Sequence, residues 1–241
     1  MTVNGLREVR HAGVLTVTFD RPEARNALTL AMRLRLEELC AEADGDDSVD
    51  VVVITGVDPA FCAGADVKEI AALGSSMTST DPGAAIRRVA KPVVGAVNGP
   101  SITGGLEIAL SCDFLIASDR ASFADTHARL GVLPRWGMSA LLPRAVGVRY
   151  AKELSATGSV IDAEEALRIG LVNHVVPHAD LRRRVDELVR SIQQSNGPAV
   201  TATFALYEDG QSLTQDEAVL LEAERGAEWV VDLSQFGTVG R

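Results

Sequence analysis

The chain has 241 residues, 46% of them hydrophobic but only 4% aromatic, with a formal net charge of −10 at pH 7. That length holds one domain, or one with a small appendage, and an Ala-, Val- and Leu-rich composition suits a compact α/β core. The acidic balance leaves no basic stripe to follow phosphates, which argues against a nucleic-acid binder.

Other classes are set aside on the same grounds. The densest basic run, Arg182-Arg183-Arg184, sits beside Asp186 and Glu187 and reads as a solvated helix face. Cys40, Cys62 and Cys112 lack metal-ligand spacing, and their odd number without a signal peptide fits a reducing interior. The first ten residues are polar and lack an apolar h-region. No run approaches the roughly 18 apolar residues of a membrane span. A soluble, cytoplasmic protein with no metal, no nucleic-acid partner and no membrane contact is expected.

In chain order, Val14–Phe19 alternates apolar residues with Thr, a strand signature. A polar loop follows, Asp20-Arg21-Pro22-Glu23-Ala24-Arg25-Asn26-Ala27-Leu28. Thr29 can cap a helix carrying Leu30, Arg33, Leu34, Glu37 and Glu38 up to about Ala43. The nearly continuous apolar run 49–55 suits a strand covered on both faces. Phe61-Cys62-Ala63-Gly64-Ala65-Asp66 is then a glycine-containing strand-to-helix turn, with a helix expected from about Asp66. Residues 73–83 are rich in Ser, Thr and Gly and read as a mobile surface loop. A short helix over 84–90 and a buried strand over 92–97 come next.

The stretch from Asn98 to Asp113 organises the rest. A glycine pair, Gly104-Gly105, sits where the strand turns into a helix, and Glu107 lies about one turn into that otherwise apolar helix. Glycines let a ligand approach the backbone, and the first N–H groups of a helix have no internal partner. With the helix dipole they favour developing negative charge. Close packing at the glycines and a dipole-favoured carboxylate at Glu107 are the alternative. Strands over 113–118 and 121–124 follow. Beyond about residue 135 the pattern is mostly helical, with a possible strand over 171–176 and a capping box at Thr214-Gln215-Asp216-Glu217. Strand–helix alternation alone reads as a doubly wound parallel sheet, followed by helices suited to packing on a neighbouring subunit.

Several motifs in this order resemble the enoyl-CoA hydratase/isomerase, or crotonase, family: Arg21-Pro22 with Asn26-Ala27-Leu28; Phe61 to Asp66 with Lys68-Glu69; Lys91-Pro92 to Asn98-Gly99; Gly104-Gly105-Leu106-Glu107 with Cys112-Asp113; Leu130-Gly131 with Pro134; and Glu165-Ala166 with Gly170-Leu171-Val172. The resemblance spans nearly the whole chain. It implies an α/β crotonase-like spiral of ββα repeats over residues 1–190 and a helical trimerisation region over 191–241. It also implies a homotrimer or dimer of trimers acting on acyl-CoA in fatty-acid or related metabolism. Coenzyme A belongs to the substrate, and no separate cofactor is expected. By resemblance, Ala65 and Gly104 supply the N–H pair of an oxyanion hole. Ala24, Arg25, Ala27, Leu28, Ala63, Asp66, Val67 and Lys68 would bind coenzyme A, with Lys68 and Arg25 as phosphate partners; a solvent-facing charge is the other reading of Arg25.

One departure bears on mechanism. Hydratases of the family use two glutamates; the first aligns with Glu107, and the position of the second, twenty residues on, holds His127. An imidazole, titrating near pH 6.5 when unperturbed, can hold or deliver the proton that the second glutamate would. His127 can equally be a structural residue bonding a carbonyl. Asp125, on an extended segment, is expected to face away. The implied activity is a hydratase-like lyase using Glu107 and His127. Isomerisation, decarboxylation or thioester hydrolysis in the same oxyanion hole, and non-catalytic acyl-CoA binding, are the alternatives. Family members usually continue past the position of Arg241, so the stretch 237–241 is expected either to lack its natural end or to leave the site more open.

Overall fold

The chain opens with β1 (Thr2–Val3) and β2 (Leu6–His11), then turns at Ala12 and Gly13, both at positive φ, into β3 (Val14–Phe19). β2 pairs antiparallel with β3, Leu6 opposite Phe19 and His11 opposite Val14. Only Leu6 of β2 is buried, so this strand carries no alternating apolar signal in sequence. The structure is a computed structural model and describes residues 2–73 and 80–230. The expected loop over 73–83 therefore lies largely, and the stretch 237–241 wholly, outside the described residues.

After β3 comes α1 (Leu30–Asp44), capped as expected by Thr29, whose Oγ1 accepts from Met32 N at 3.2 Å. β4 (Val51–Gly56), α2 (Val67–Leu73) and α3 (Pro82–Arg87) follow. Next are β5 (Val93–Val97), β6 (Ser101–Ile102) and α4 (Gly104–Leu110). Then come β7 (Phe114–Ser118), β8 (Ser122–Ala124) and α5 (His127–Leu130). The chain continues through α6 (Met138–Val146), α7 (Val148–Thr157), β9 (Ile161–Asp162) and α8 (Ala163–Arg168) to β10 (His174–Val176) and α9 (Leu181–Gln193).

The large sheet has the order β1-β2-β3-β4-β5-β7-β10, and from β3 onward its strands are parallel. Spatial order follows chain order without a reversal, so the sheet is a spiral and not doubly wound. After a long strand the chain adds a short one to a second layer: β6, β8 and β9 form a three-stranded sheet, continued by bridges between Cys62 and Ser101 and between Leu28 and Ala65. Long strand, short strand and helix make the ββα repeat.

The large sheet is buried from both sides. Leu15, Val17, Phe19, Val52 and Ile54 pack in one cluster with Met32, Leu36 and Leu39 of α1. Val51, Val53, Val94, Ala96 and Ile116 pack in another with Leu181, Val185 and Val189 of α9. Two covered faces are why 49–55 reads as a nearly continuous apolar run.

The first compact unit is Met1–Gly197 and the second Pro198–Arg241. The first unit thus includes all of α9. The second unit comprises α10 (Gly197–Gly210), which begins at the boundary, and α11 (Gln215–Glu228), joined by an ion pair of 2.8 Å between Arg225 and Asp209. The Thr214–Glu217 capping box is present, and α11 ends at Glu228. No described helix is long and apolar enough to cross a membrane.

Candidate active site

Two turns meet at one point of the spiral. In the first, Ala63 N donates to Arg25 O, Leu28 N to Gly64 O and Asp66 N to Leu28 O. This ladder skips the N–H of Ala65, which has no hydrogen-bond acceptor among the described residues. In the second turn, Thr103 takes a positive φ of 55° and opens α4 without capping it. The Gly104 N–H, first in that helix, likewise has no acceptor among the described residues. Gly64 has φ +92°, and a Cβ there would stand 3.0 Å from Gly104 N. A Cβ on Gly105 would stand 2.0 Å from the Cys62 carbonyl oxygen. The glycines are needed because the two backbones touch. Strain at Thr103 is of the kind that surrounding structure must over-determine.

Glu107 is the fourth residue of α4 and is only 2% exposed. Its Oε1 accepts three backbone N–H groups: Trp136 at 2.7 Å, Arg135 at 3.2 Å and Met138 at 3.2 Å. Three donors on one oxygen fix the carboxylate plane, and the other oxygen faces His127. Glu107 Oε2 lies 3.5 Å from His127 Nε2, longer than a direct hydrogen bond and short enough for one water to bond both.

His127 opens α5, and its Nδ1 lies 2.7 Å from Asp125 Oδ1, which also accepts the His127 backbone N–H at 3.1 Å. Asp125 Oδ2 accepts from Ser155 Oγ of α7 at 2.6 Å. The expectation that Asp125 faces away is corrected here. The chain turns into α5 immediately after β8, so the strict alternation of an extended strand ends at Ala124. Burial works against charge on His127, but the hydrogen bond with Asp125 and the neighbouring Glu107 outweigh it and raise the imidazole from 6.5 to about 9. Burial also opposes charge on Asp125, yet its bonds with His127 and Ser155 hold that carboxyl below the usual range. At neutral pH that shift leaves His127 as an imidazolium beside Glu107.

These groups border a cavity of about 760 Å³ that Ala63, Ala65, Val67, Gly104, Glu107 and His127 help to line. Its mouth carries exposed apolar side chains, Val67, Leu130, Val132 and Leu133. A hollow of about 790 Å³ between the outer face of β2–β4 and α9 contains none of the groups above. Thr80 and Trp136 lie in the two stretches, 73–83 and 136–141, expected from sequence to shape the acyl pocket, whereas Arg33 was not singled out as part of the cavity wall. For Arg33 a signal was available, since it falls on the helix face shared by Leu36, Cys40 and Ala43. A charge on an apolar stripe is an anomaly.

The other expected ligand-binding residues do not line this cavity. Ala24, Ala27 and Leu28 form the loop alongside the Ala63–Ala65 turn, with Leu28 fully buried. Asp66 caps α2 through Lys68 N and Glu69 N and accepts from Arg21 Nη1 at 3.0 Å. Arg25 and Lys68 are exposed cations without an ion pair among the described residues. No described cluster of His, Cys, Asp and Glu groups has the arrangement to hold a metal ion.

Comparison with known proteins gives a consistent result. The family model described as enoyl-CoA hydratase/isomerase matches residues 9–226. A protein of Arabidopsis thaliana named probable enoyl-CoA hydratase 1, peroxisomal, is 38% identical over 216 residues, 88% of this chain and 82% of that protein. A crotonyl-CoA hydratase of Syntrophomonas wolfei is 37% identical over 213 residues, 85% of this chain and 82% of its own length. The crystal structure of enoyl-CoA hydratase from Mycobacterium tuberculosis H37Rv superposes with a TM-score of 0.80 at 43% identity, covering 93% of this chain and 98% of that one.

Proposed function

The chain belongs to the enoyl-CoA hydratase/isomerase family, and we propose that it is an enoyl-CoA hydratase, adding water to 2-enoyl-CoA thioesters with Glu107 as base and His127 as acid. The observation that carries this is the Glu107 side chain, locked at Oε1 by three N–H groups, with Oε2 at 3.5 Å from His127 Nε2.

The chemistry balances within this chain. A water held by Glu107 Oε2 gives a proton to that oxygen as its own oxygen bonds to C3 of the substrate. The C2–C3 π electrons move toward the thioester, whose oxygen becomes an enolate oxygen. The N–H groups of Ala65 and Gly104 receive that charge; one such donor is typically worth about 2.7–4 kcal/mol of barrier. His127 Nε2–H then protonates C2, and the thioester carbonyl re-forms. Transfer of the captured proton from Glu107 to His127 resets both groups. No cofactor enters beyond the coenzyme A carried by the substrate. Its phosphates fall to Arg25 and Lys68, and its pantetheine arm to the backbone of Ala24, Ala27, Leu28, Ala63, Asp66 and Val67. Two exposed cations without an ion pair among the described residues, beside the turn, support that assignment.

A crotonate thioester incubated in heavy-oxygen water is expected to give the 3-hydroxyacyl thioester with the label on C3. Label in a free carboxylate, or a moved double bond without label, would replace hydration by hydrolysis or isomerisation.

The homotrimer, or dimer of trimers, is part of the same proposal. Tyr207, Val219 and Leu220 are exposed on helices that bury none of their own residues, which supports association through this region. Light scattering is expected to give three or six times the chain mass; a monomer mass rejects it. A cytoplasmic setting is supported by three unpaired cysteines, Cys40, Cys62 and Cys112.

A further inference from the structure

Glu107 belongs to a closed ring of hydrogen bonds, and one member of that ring lies outside the cavity wall. Trp136 N donates to Glu107 Oε1 at 2.7 Å. Trp136 O in turn accepts from Arg87 Nη1 of α3 at 2.9 Å. The same nitrogen donates to Ser111 Oγ at 2.9 Å, and Ser111 Oγ donates to the Glu107 backbone oxygen at 2.8 Å. The ring thus leaves the Glu107 carboxyl group and returns to its backbone. Arg87 is exposed, and its side-chain hydrogen bonds among the described residues both go to neutral acceptors. Backbone crowds this contact: a Cβ on Gly83 would stand 2.4 Å from Trp136 O, and one on Gly137 would stand 2.9 Å from Arg87 Nη1.

The ring matters because the segment 131–137, between α5 and α6, has no helix or strand of its own to hold it. Its N–H groups at Arg135 and Trp136 turn toward Glu107, so carbonyls of the same stretch need partners elsewhere. Arg87 supplies one. A guanidinium nitrogen carries two N–H groups in a fixed plane, so a single atom ties this segment to α4. The Trp136 indole is held separately, Nε1 donating to Thr80 O at 3.2 Å, but that bond sets the ring and not the peptide. Without Arg87, the backbone that meets Oε1 loses its tie to the helix that carries Glu107. A carboxyl group free to turn no longer presents Oε2 to the water and to His127. Reaction geometry tolerates little of this, since a displacement of about 1 Å can cost on the order of 10²-fold.

We infer that Arg87 is a positioning residue for the catalytic base, acting through Trp136 on Glu107 from outside the cavity. For turnover this rests on the hydratase reading, but the anchoring of 135–138 is separable from chemistry. The test compares Arg87→Met and Arg87→Lys with Arg88→Met, which removes the adjacent exposed cation of the same helix end. Amide hydrogen exchange followed by mass spectrometry is expected to speed up at 135–138 in Arg87→Met, while β4 keeps its wild-type protection. kcat for crotonyl-CoA hydration is expected to fall about 10–100-fold, with KM changed only a few-fold. Arg87→Lys keeps donors on one nitrogen without the planar fork. It is expected to recover part of both, and it serves if the Met variant fails to fold. Arg88→Met is expected to match the wild type. In a Glu107→Gln background, Arg87→Met is expected to lower kcat by less than about 3-fold further, because residues that act as a unit do not add. Unchanged exchange at 135–138 overturns the inference, and so does faster exchange with kcat intact. A full further loss in the Glu107→Gln background, or a loss shared by Arg88→Met, overturns it as well. Absence of hydration by the wild-type protein with the exchange result intact would instead reject the hydratase reading alone.

Discussion

Glu107→Gln is expected to lower kcat for hydration of crotonyl-CoA by on the order of 10²–10⁴-fold, with KM changed only a few-fold. The amide keeps the volume, and its oxygen can still accept the N–H groups of Arg135, Trp136 and Met138 that now bind Oε1. That leaves the NH₂ facing His127 where a carboxylate oxygen stands. It cannot take a proton from water, and it no longer favours charge on the imidazole. Both proton roles therefore fail together, while the cavity and the two turns that meet it stay intact. Steady-state kinetics and a melting curve separate the outcomes. Unchanged turnover in a folded variant would remove Glu107 from the chemistry.

The second large effect concerns His127. Its ring is raised from 6.5 to about 9 because Asp125 and Glu107 outweigh burial. Activity that needs the imidazolium is expected to stay flat through neutral pH and to fall as pH rises through about 9. Asp125→Asn deletes the closer negative charge, so the alkaline limb is expected to move to lower pH, toward 6.5. His127→Ala is expected to cost on the order of 10²-fold or more in kcat, and added imidazole to restore part of it. A histidine that only packs would give an unmoved pH limb and no rescue. Stability follows with a definite sign. The pKa in the folded state exceeds that of the unfolded state, so this contribution is complete below 6.5 and is lost as pH rises through about 9. Melting temperature is expected to decline across that window in the wild-type protein, and the decline to be smaller in His127→Ala.

Much of the family pattern turns out to be scaffolding. Asn26 is fully buried, receives Arg21 N and donates to Val57 O and Ala60 O. Asn98 accepts Gly56 N and donates to Asp58 and Ala60 O. Lys91 ties Ala43 O to Asp46 O, and Asp113 receives Val93 N at 2.7 Å. These polar side chains satisfy backbone groups that loops would otherwise bury unpaired. They hold the turns on which Ala65 and Gly104 sit. A motif scan therefore finds the site through residues that serve it at a distance.

The sequence by itself determined the local features. Thr29, Asp66 and Thr214 cap the helices that follow them, because a cap needs only a side chain and the next turn of its own chain. The buried strands were legible as apolar runs, and the glycine turns as places where backbone must come close. Glu107 was legible as a carboxylate in an apolar helix. What the tertiary structure decided are the encounters between segments far apart in the chain. The sheet order makes a spiral, a choice that alternation of strands and helices leaves open. Asp125 turns inward because α5 begins at His127 and brings Ser155 of α7 to its second oxygen. Three N–H groups from residues 135–138 fix Glu107, and the Arg33 guanidinium of α1 lies over the Trp136 ring. Periodicity reports which face of an element is buried, but it is blind to what that face is buried against. The proton chemistry depends on the latter.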